Sequence, residues 1–213
     1  MRIRVVVLSM FFFISIFTCT TAWGLDFDFS GNFTNDNDVQ LFNFSVAAPS
    51  TVTVFSSSWL TGEPPQGLDP MLGIWTSSGN LVNFQDDGGV VGSTLSNGIP
   101  YNHGTWDSYY TVALGAGDFI ASITQYSNFN VSSILSDGFR YDGNPNFTFD
   151  LGYGAQPLFN GVWNGDGNDP RTNNWEFHIL NVAAADAVPE PSTFLLFGAG
   201  LAGVGLLRRR FKN

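Results

Sequence analysis

Lysine is absent between Leu25 and Val188, a stretch of 164 residues holding 17 acidic side chains against only Arg140 and Arg171, for a net of −15. Over the whole chain, 8 Lys and Arg face 18 Asp and Glu. That balance excludes a nucleic-acid binder, because phosphate contacts need clustered cationic side chains. Cysteine is almost absent too: the one thiol, Cys19, stands in the apolar N-terminal region, so no disulfide framework is available. Histidine is confined to His103 and His178, and no G-x-S-x-G, H-E-x-x-H or P-loop sequence occurs, which leaves catalysis without a recognisable motif. No amphipathic stretch of helical period lies between Leu25 and Val188, and no repeat of fixed period is present. What the chain does have, 44% hydrophobic and 15% aromatic residues, excludes a disordered polymer.

The two ends differ from this middle. Arg2 and Arg4 precede an apolar run from Val5 to Phe17, and small residues follow up to Ala22-Trp23-Gly24. Residues 1–24 therefore read as a secretory signal peptide; an uncleaved anchor is the alternative, although the run is shorter than the ~20 residues that span a bilayer. Ile16-Phe17-Thr18-Cys19 matches a lipoprotein signal poorly, since Phe stands where a small residue is expected. At the other end, Pro189-Glu190-Pro191 leads into an apolar, Gly-rich run from Phe194 to Leu207, closed by Arg208, Arg209 and Arg210. As a helix with ~1.5 Å rise per residue the run reaches only ~21 Å, short for a ~30 Å hydrocarbon core. The arginines would stay on the cytoplasmic side and leave the body outside.

This C-terminal order of turn, short apolar segment and Arg cluster over residues 189–213 resembles the PEP-CTERM sorting signal of exported bacterial proteins. The resemblance implies that Pro189, Glu190 and Pro191 are a recognition element for an exosortase-like membrane enzyme, that the tail is a transient inner-membrane anchor removed on sorting, and that the body goes to the cell surface or exterior. It also implies a Gram-negative source that makes exopolysaccharide.

In the body, residues 25–182, period two dominates. Leu25, Phe27 and Phe29 alternate with Asp26 and Asp28, and Leu41 to Val46 and Thr51 to Phe55 behave alike. Met71–Thr76 and Leu81–Phe84 flank Ser77-Ser78-Gly79-Asn80 and predict a hairpin. Further strands are expected at Tyr109–Leu114, Phe119–Tyr126, Phe147–Leu151 and Trp175–Val182. The fold class is all-β, an antiparallel β-sandwich or jelly roll. Loops are expected at 61–67, 86–92, 97–104 and 160–174, and residues 183–188 read as a linker of small residues. The sequons at Asn32, Asn43, Asn130 and Asn146 follow from strand alternation as readily as from glycosylation.

Asn35 to Phe44, Leu68-Asp69-Pro70-Met71-Leu72-Gly73-Ile74-Trp75, Asp86-Asp87-Gly88-Gly89 and Leu114 to Ile120 together resemble the bacterial pre-peptidase C-terminal type of β-sandwich, over about residues 26–126. Asp118-Phe119 departs from that family's Thr-Tyr, and Asn128 to Asn174 has no counterpart. The resemblance implies an accessory, non-catalytic module, some of which hold calcium.

Hard cations want several oxygen ligands on irregular backbone, so Asp36 with Asp38, Asp86 with Asp87, and Asp166 with Asp169 are candidate calcium ligands. Turn chemistry, which also selects Asp, Asn and Gly, explains the same residues. Trp59, Trp106 and Trp163, with Trp175, lie near polar loops and offer the flat apolar face that a sugar stacks on; core packing is the alternative. Paired carboxylates for glycoside hydrolysis stay open, because their spatial separation is not written in the sequence. The reading is of a non-catalytic exported protein associated with exopolysaccharide or the biofilm matrix. The alternative is a secreted lectin-like or carbohydrate-active protein.

Overall fold

The computed structural model describes residues 24–59, 67–150, 162–163 and 170–189. The signal-peptide reading of 1–24, except Gly24, and the tail from Glu190 onward, with Glu190, Pro191, Arg208, Arg209 and Arg210, lie outside them, as do Asp166 and Asp169.

Alternation of aromatic and polar residues builds two antiparallel sheets. The first has the order β1 (Leu25–Asn32), β12 (Asn174–Val182), β3 (Ser50–Ser56), β8 (Tyr109–Leu114). The second runs β13 (Ala184–Ala187), β2 (Val39–Val46), β9 (Gly117–Gln125), β4 (Pro70–Thr76), β5 (Leu81–Gln85). Phe42, Phe44, Leu72, Ile74 and Ile123 from one sheet meet Val52, Val54, Phe177 and Ile179 from the other in one core, against which Phe27 and Phe29 pack. The ring centroids of Phe42 and Phe177 are 4.7 Å apart. Burying each such side chain contributes roughly 1.5–3 kcal/mol, so aromatic and aliphatic residues together hold the sandwich.

Both outer faces carry an added piece. The hairpin β6 (Gly92–Ser96) and β7 (Ile99–His103) lies over the first sheet, turning at Asn97 and Gly98, both with positive φ (49° and 79°) as a two-residue hairpin demands. Over the second sheet, Phe139 sets its ring edge-on to the buried Trp75, and Phe129 meets Phe84. A further short pair, β10 (Val162–Trp163) with β11 (Pro170–Arg171), completes the described strands.

Three expectations are corrected. Residues 183–188 are not a free linker: β13 pairs with β2 from Ala184↔Ser45 to Ala187↔Phe42, and Val188 N–H donates to Leu41 O at 2.8 Å. Small side chains let Ala185 sit buried in the core, so the sheet accepts a strand that composition describes as a spacer. Phe147–Leu151 is not a strand over its described part but one helical turn, α1 (Phe147–Asp150). Its Thr148 gives both its N–H and its hydroxyl to Asp36 Oδ2, which satisfies the first turn from a distant loop. The loop expected at 97–104 is largely β7, and His103 closes that strand.

The register also sorts the loops by end. Asn32, Val39, Ser56, Pro70, Gln85, Tyr109, Gln125, Asn174 and Ala187 all stand at one end of the sandwich, and Leu68 N–H bonds Asn174 O across the sheets there. The turns at 47–49 and 115–116 stand at the other. The chain enters the body at the second end and leaves it at the first.

Candidate metal centre

Asp69, Asp86 and Asp87 converge at the first end, with one carboxylate oxygen from each lying within 4.8 Å of the others. Asp69 directly precedes β4 and is buried, Asp86 and Asp87 directly follow β5, and Asp87 is exposed. Since β4 and β5 are hydrogen-bonded neighbours, the start of one and the end of the other meet at the same edge. The backbone is fixed from several sides. Tyr126 N–H donates to Asp69 O at 2.8 Å, Gln85 Nε2 donates to Asp87 O at 2.9 Å, and the buried Ser108 hydroxyl lies against the Asp86 carbonyl. Gly88 N–H donates to Asp107 O at 2.8 Å; a Cβ on Gly88 would lie 2.6 Å from Tyr109 N, so only glycine fits this approach.

Burial, and secondarily the charge of Asp87, pushes the Asp86 carboxyl up to about 7. Burial also raises Asp87. Asp86 Oδ1 is buried and has no hydrogen-bond partner among the described residues. An all-carboxylate donor set with carbonyls nearby suits a hard, oxygen-seeking divalent ion such as calcium or magnesium, not a nitrogen- or sulfur-seeking one. Asp69 was not among the expected ligands; its place in Leu68-Asp69-Pro70, next to a strand that pairs with the strand before Asp86, was the available signal.

Among the described residues, the other expected ligands, Asp36 and Asp38, do not join this group. Asp36 is buried and engaged by Thr148. Asp38 Oδ2 accepts from the N–H groups of Thr34 and Asn35, both at 2.7 Å, which is turn chemistry.

Of the tryptophans, Trp106 is 46% exposed, Trp59 is buried beside it with ring centroids 6.1 Å apart, and Trp175 packs in the core against Phe42. The side chain of Trp163 lies outside the described part. Buried Asp107 fixes the Trp59–Trp106 corner, accepting from Ser56 Oγ at 2.9 Å, Trp59 N–H at 3.0 Å and Gly104 N–H at 2.9 Å. Because Gly88 and Gly89 bond Asp107 O and Thr105 O, the exposed ring of Trp106 and the acidic cluster belong to adjoining loops.

A second polar cluster, unforeseen in the sequence, lies beneath the β6–β7 hairpin. His178 Nδ1 is 2.7 Å from Asp28 Oδ1, and its Nε2 is 2.9 Å from Ser57 Oγ. Nucleophilic hydrolases align the same three groups. Here, however, Ser57 and His178 are only 2% and 1% exposed, and Ser57 Oγ also lies 2.7 Å from Glu176 Oε2. The single hydroxyl proton cannot serve both His178 and Glu176. The imidazole stacks on Phe55 at 4.4 Å and meets the Tyr101 ring at a tilt, 4.0 Å between centroids, while Asn97 Nδ2 donates to Asp28 Oδ2 at 2.9 Å from the hairpin turn. Burial pushes the His178 imidazole down, against the pull of Asp28 and Glu176. Burial would raise Asp28, but hydrogen bonds including those from His178 and Asn97 hold it below the usual carboxylate range.

Among the described residues no helix is long and apolar enough to cross a membrane. Residues 187–210 match the family model of the PEP-CTERM protein-sorting motif. The match begins at the last residue of β13 and covers the segment whose order of parts resembles that signal. It marks an exported substrate of an exosortase, held at the membrane by its tail before cleavage. No curated protein matches the chain.

Proposed function

We propose that the body is a non-catalytic, calcium-binding exoprotein that acts in the extracellular matrix among exopolysaccharide once the sorting enzyme has processed its tail. The observation that carries the calcium reading is the convergence of Asp69, Asp86 and Asp87 within 4.8 Å, with one buried oxygen of Asp86 lacking a hydrogen-bond partner among the described residues. Carboxylates this close repel one another, and a divalent ion turns that repulsion into coordination. The matrix reading is supported by the sorting motif and by the acidic surface, which favours solubility and divalent ions. A non-catalytic role is supported by the covered Ser57–His178 pair.

A carbohydrate-binding reading has one specific observation in its favour, the exposed ring of Trp106 beside the acidic loops. In that reading the sugar stacks on Trp106 while its hydroxyl groups meet the ion or the loop carbonyls.

Thermal unfolding of the protein with calcium and with chelator tests the main proposal. Calcium at about 100 times its dissociation constant should stabilise the fold by roughly 2.7 kcal/mol, and Asp86→Asn with Asp87→Asn should abolish the effect. A calcium shift that survives both substitutions, or no shift at millimolar calcium, overturns the site.

A further inference from the structure

We infer that, while the tail is in the membrane, the end of the sandwich bearing Asp69, Asp86, Asp87 and Trp106 faces the lipid surface. The argument starts from how tightly the exit of the chain is held. Val188 N–H donates to Leu41 O at 2.8 Å, and Val188 O accepts from Gln40 Nε2 at 2.8 Å, so the body stays ordered to within one residue of Pro189. Residues 189–193 alone separate this anchored point from the apolar run that begins at Phe194. Fully extended, they reach at most about 18 Å. The two ends of the sandwich are set apart by strands such as β2 and β12, of 8 and 9 residues, or roughly 25–30 Å. A tether shorter than the body holds its own end nearest the bilayer.

That end is defined by the register. Ala187 pairs with Phe42 near the start of β2, whose Val39 pairs with Thr124; next along, Gln125 pairs with Pro70, the residue after Asp69. The acidic cluster and the exit point thus share one rim. Trp106, on the adjoining loop, gives that rim an exposed aromatic ring of the kind that settles at membrane interfaces. Carboxylates facing lipid phosphates repel them, so the short tether, and not attraction between charges, holds this rim at the surface. Leu25 lies at the opposite end, paired with Val182, so the N-terminal segment enters on the side away from the bilayer.

The test uses the full chain, with Cys19→Ser removing its one native thiol, expressed in an exporting bacterium that lacks a sorting enzyme. Single cysteines are placed at exposed sites on each end, Thr105→Cys or Val90→Cys at the acidic end and Ala48→Cys at the other. A bulky, membrane-impermeant maleimide is applied to spheroplasts and to the same membranes dissolved in detergent, in chelator throughout so that the result does not depend on the calcium site. Thr105→Cys and Val90→Cys should label about fivefold more slowly in spheroplasts than in detergent, with Ala48→Cys unchanged. Equal labelling of both ends, or selective shielding of Ala48→Cys, overturns the orientation. Shielding of Thr105→Cys that requires a co-expressed sorting enzyme overturns the lipid surface as the partner and puts that protein in its place.

Discussion

Two clusters of acidic side chains, one under the β6–β7 hairpin and one at the exit end, are built from similar residues and solve the burial of charge in opposite ways. Under the hairpin, each oxygen of Asp28 meets a donor, from His178 and from Asn97, and aromatic rings seal the imidazole. At the exit end, Asp86 and Asp87 stand with Asp69, and among the described residues Asp86 Oδ1 meets no donor. In the first cluster both Asp28 oxygens are paired within the protein, whereas in the second three carboxylates stand together with an Asp86 oxygen that no described donor meets. A carboxylate's neighbours, more than its burial, therefore separate a structural cluster from a receptive one.

Removing the centre of the closed cluster should have the largest effect. His178→Ala leaves Asp28 and Ser57 without their shared partner and opens a void between Phe55 and Tyr101. A loss of about 3 kcal/mol or more is expected in urea unfolding. A loss below ~1 kcal/mol would mean that the cluster is not structurally coupled.

The pH dependence sharpens the contrast, because the two clusters have opposite signs. Asp86 has a raised folded-state pKa of about 7, so its contribution to stability is lost as pH rises from about 4 through 7. Asp86→Asn in chelator should therefore raise stability at pH 8 by about 1–2 kcal/mol, allowing for partial exposure, and change little near pH 4. His178 has a lowered folded-state pKa and Asp28 likewise, so the closed cluster loses stability as pH falls through the range below ~6.5. Melting curves across pH 4–9 in which Asp86→Asn flattens only the alkaline side would confirm the division; flattening of the acidic side would contradict it.

The smallest effect concerns the one imperfection in the closed cluster. At pH 8 the Ser57 hydroxyl cannot serve both neutral His178 and Glu176. Glu176→Gln supplies an amide donor to Ser57 Oγ, frees the hydroxyl for His178 Nε2, and should stabilise by about 0.5–1 kcal/mol. A destabilised variant would show that Glu176 has a use for its charge that this geometry omits.

The sandwich was readable because its strands alternate so plainly: Phe27 and Phe29 turn inward while Asp26 and Asp28 turn outward, and the turn Ser77–Asn80 joins β4 to β5 as its composition predicts. The Asn97-Gly98 hairpin was also written in the sequence but was masked by the density of Gly and Asn around it. Strand β13 was not readable, because four small residues carry little strand preference and their place depends on the open edge of β2. The candidate site was half legible. Asp86 and Asp87 stood out as neighbours, but Asp69 joins them only through the pairing of β4 with β5. Asp28, Ser57 and His178 are separated by as many as 150 residues, and only the order of strands in the first sheet brings them together.

Strand β13 ends one residue before Val188, and its four residues cover the outer edge of β2. A cut at or beyond Pro189 leaves the released body with its sheet closed by its own terminus. A cut only a few residues earlier would bare the backbone of β2 from Phe42 to Ser45, and a bare edge is a template on which another strand can pair. The few residues between the two positions thus decide whether the released body carries its own edge cover or leaves that edge open to pairing.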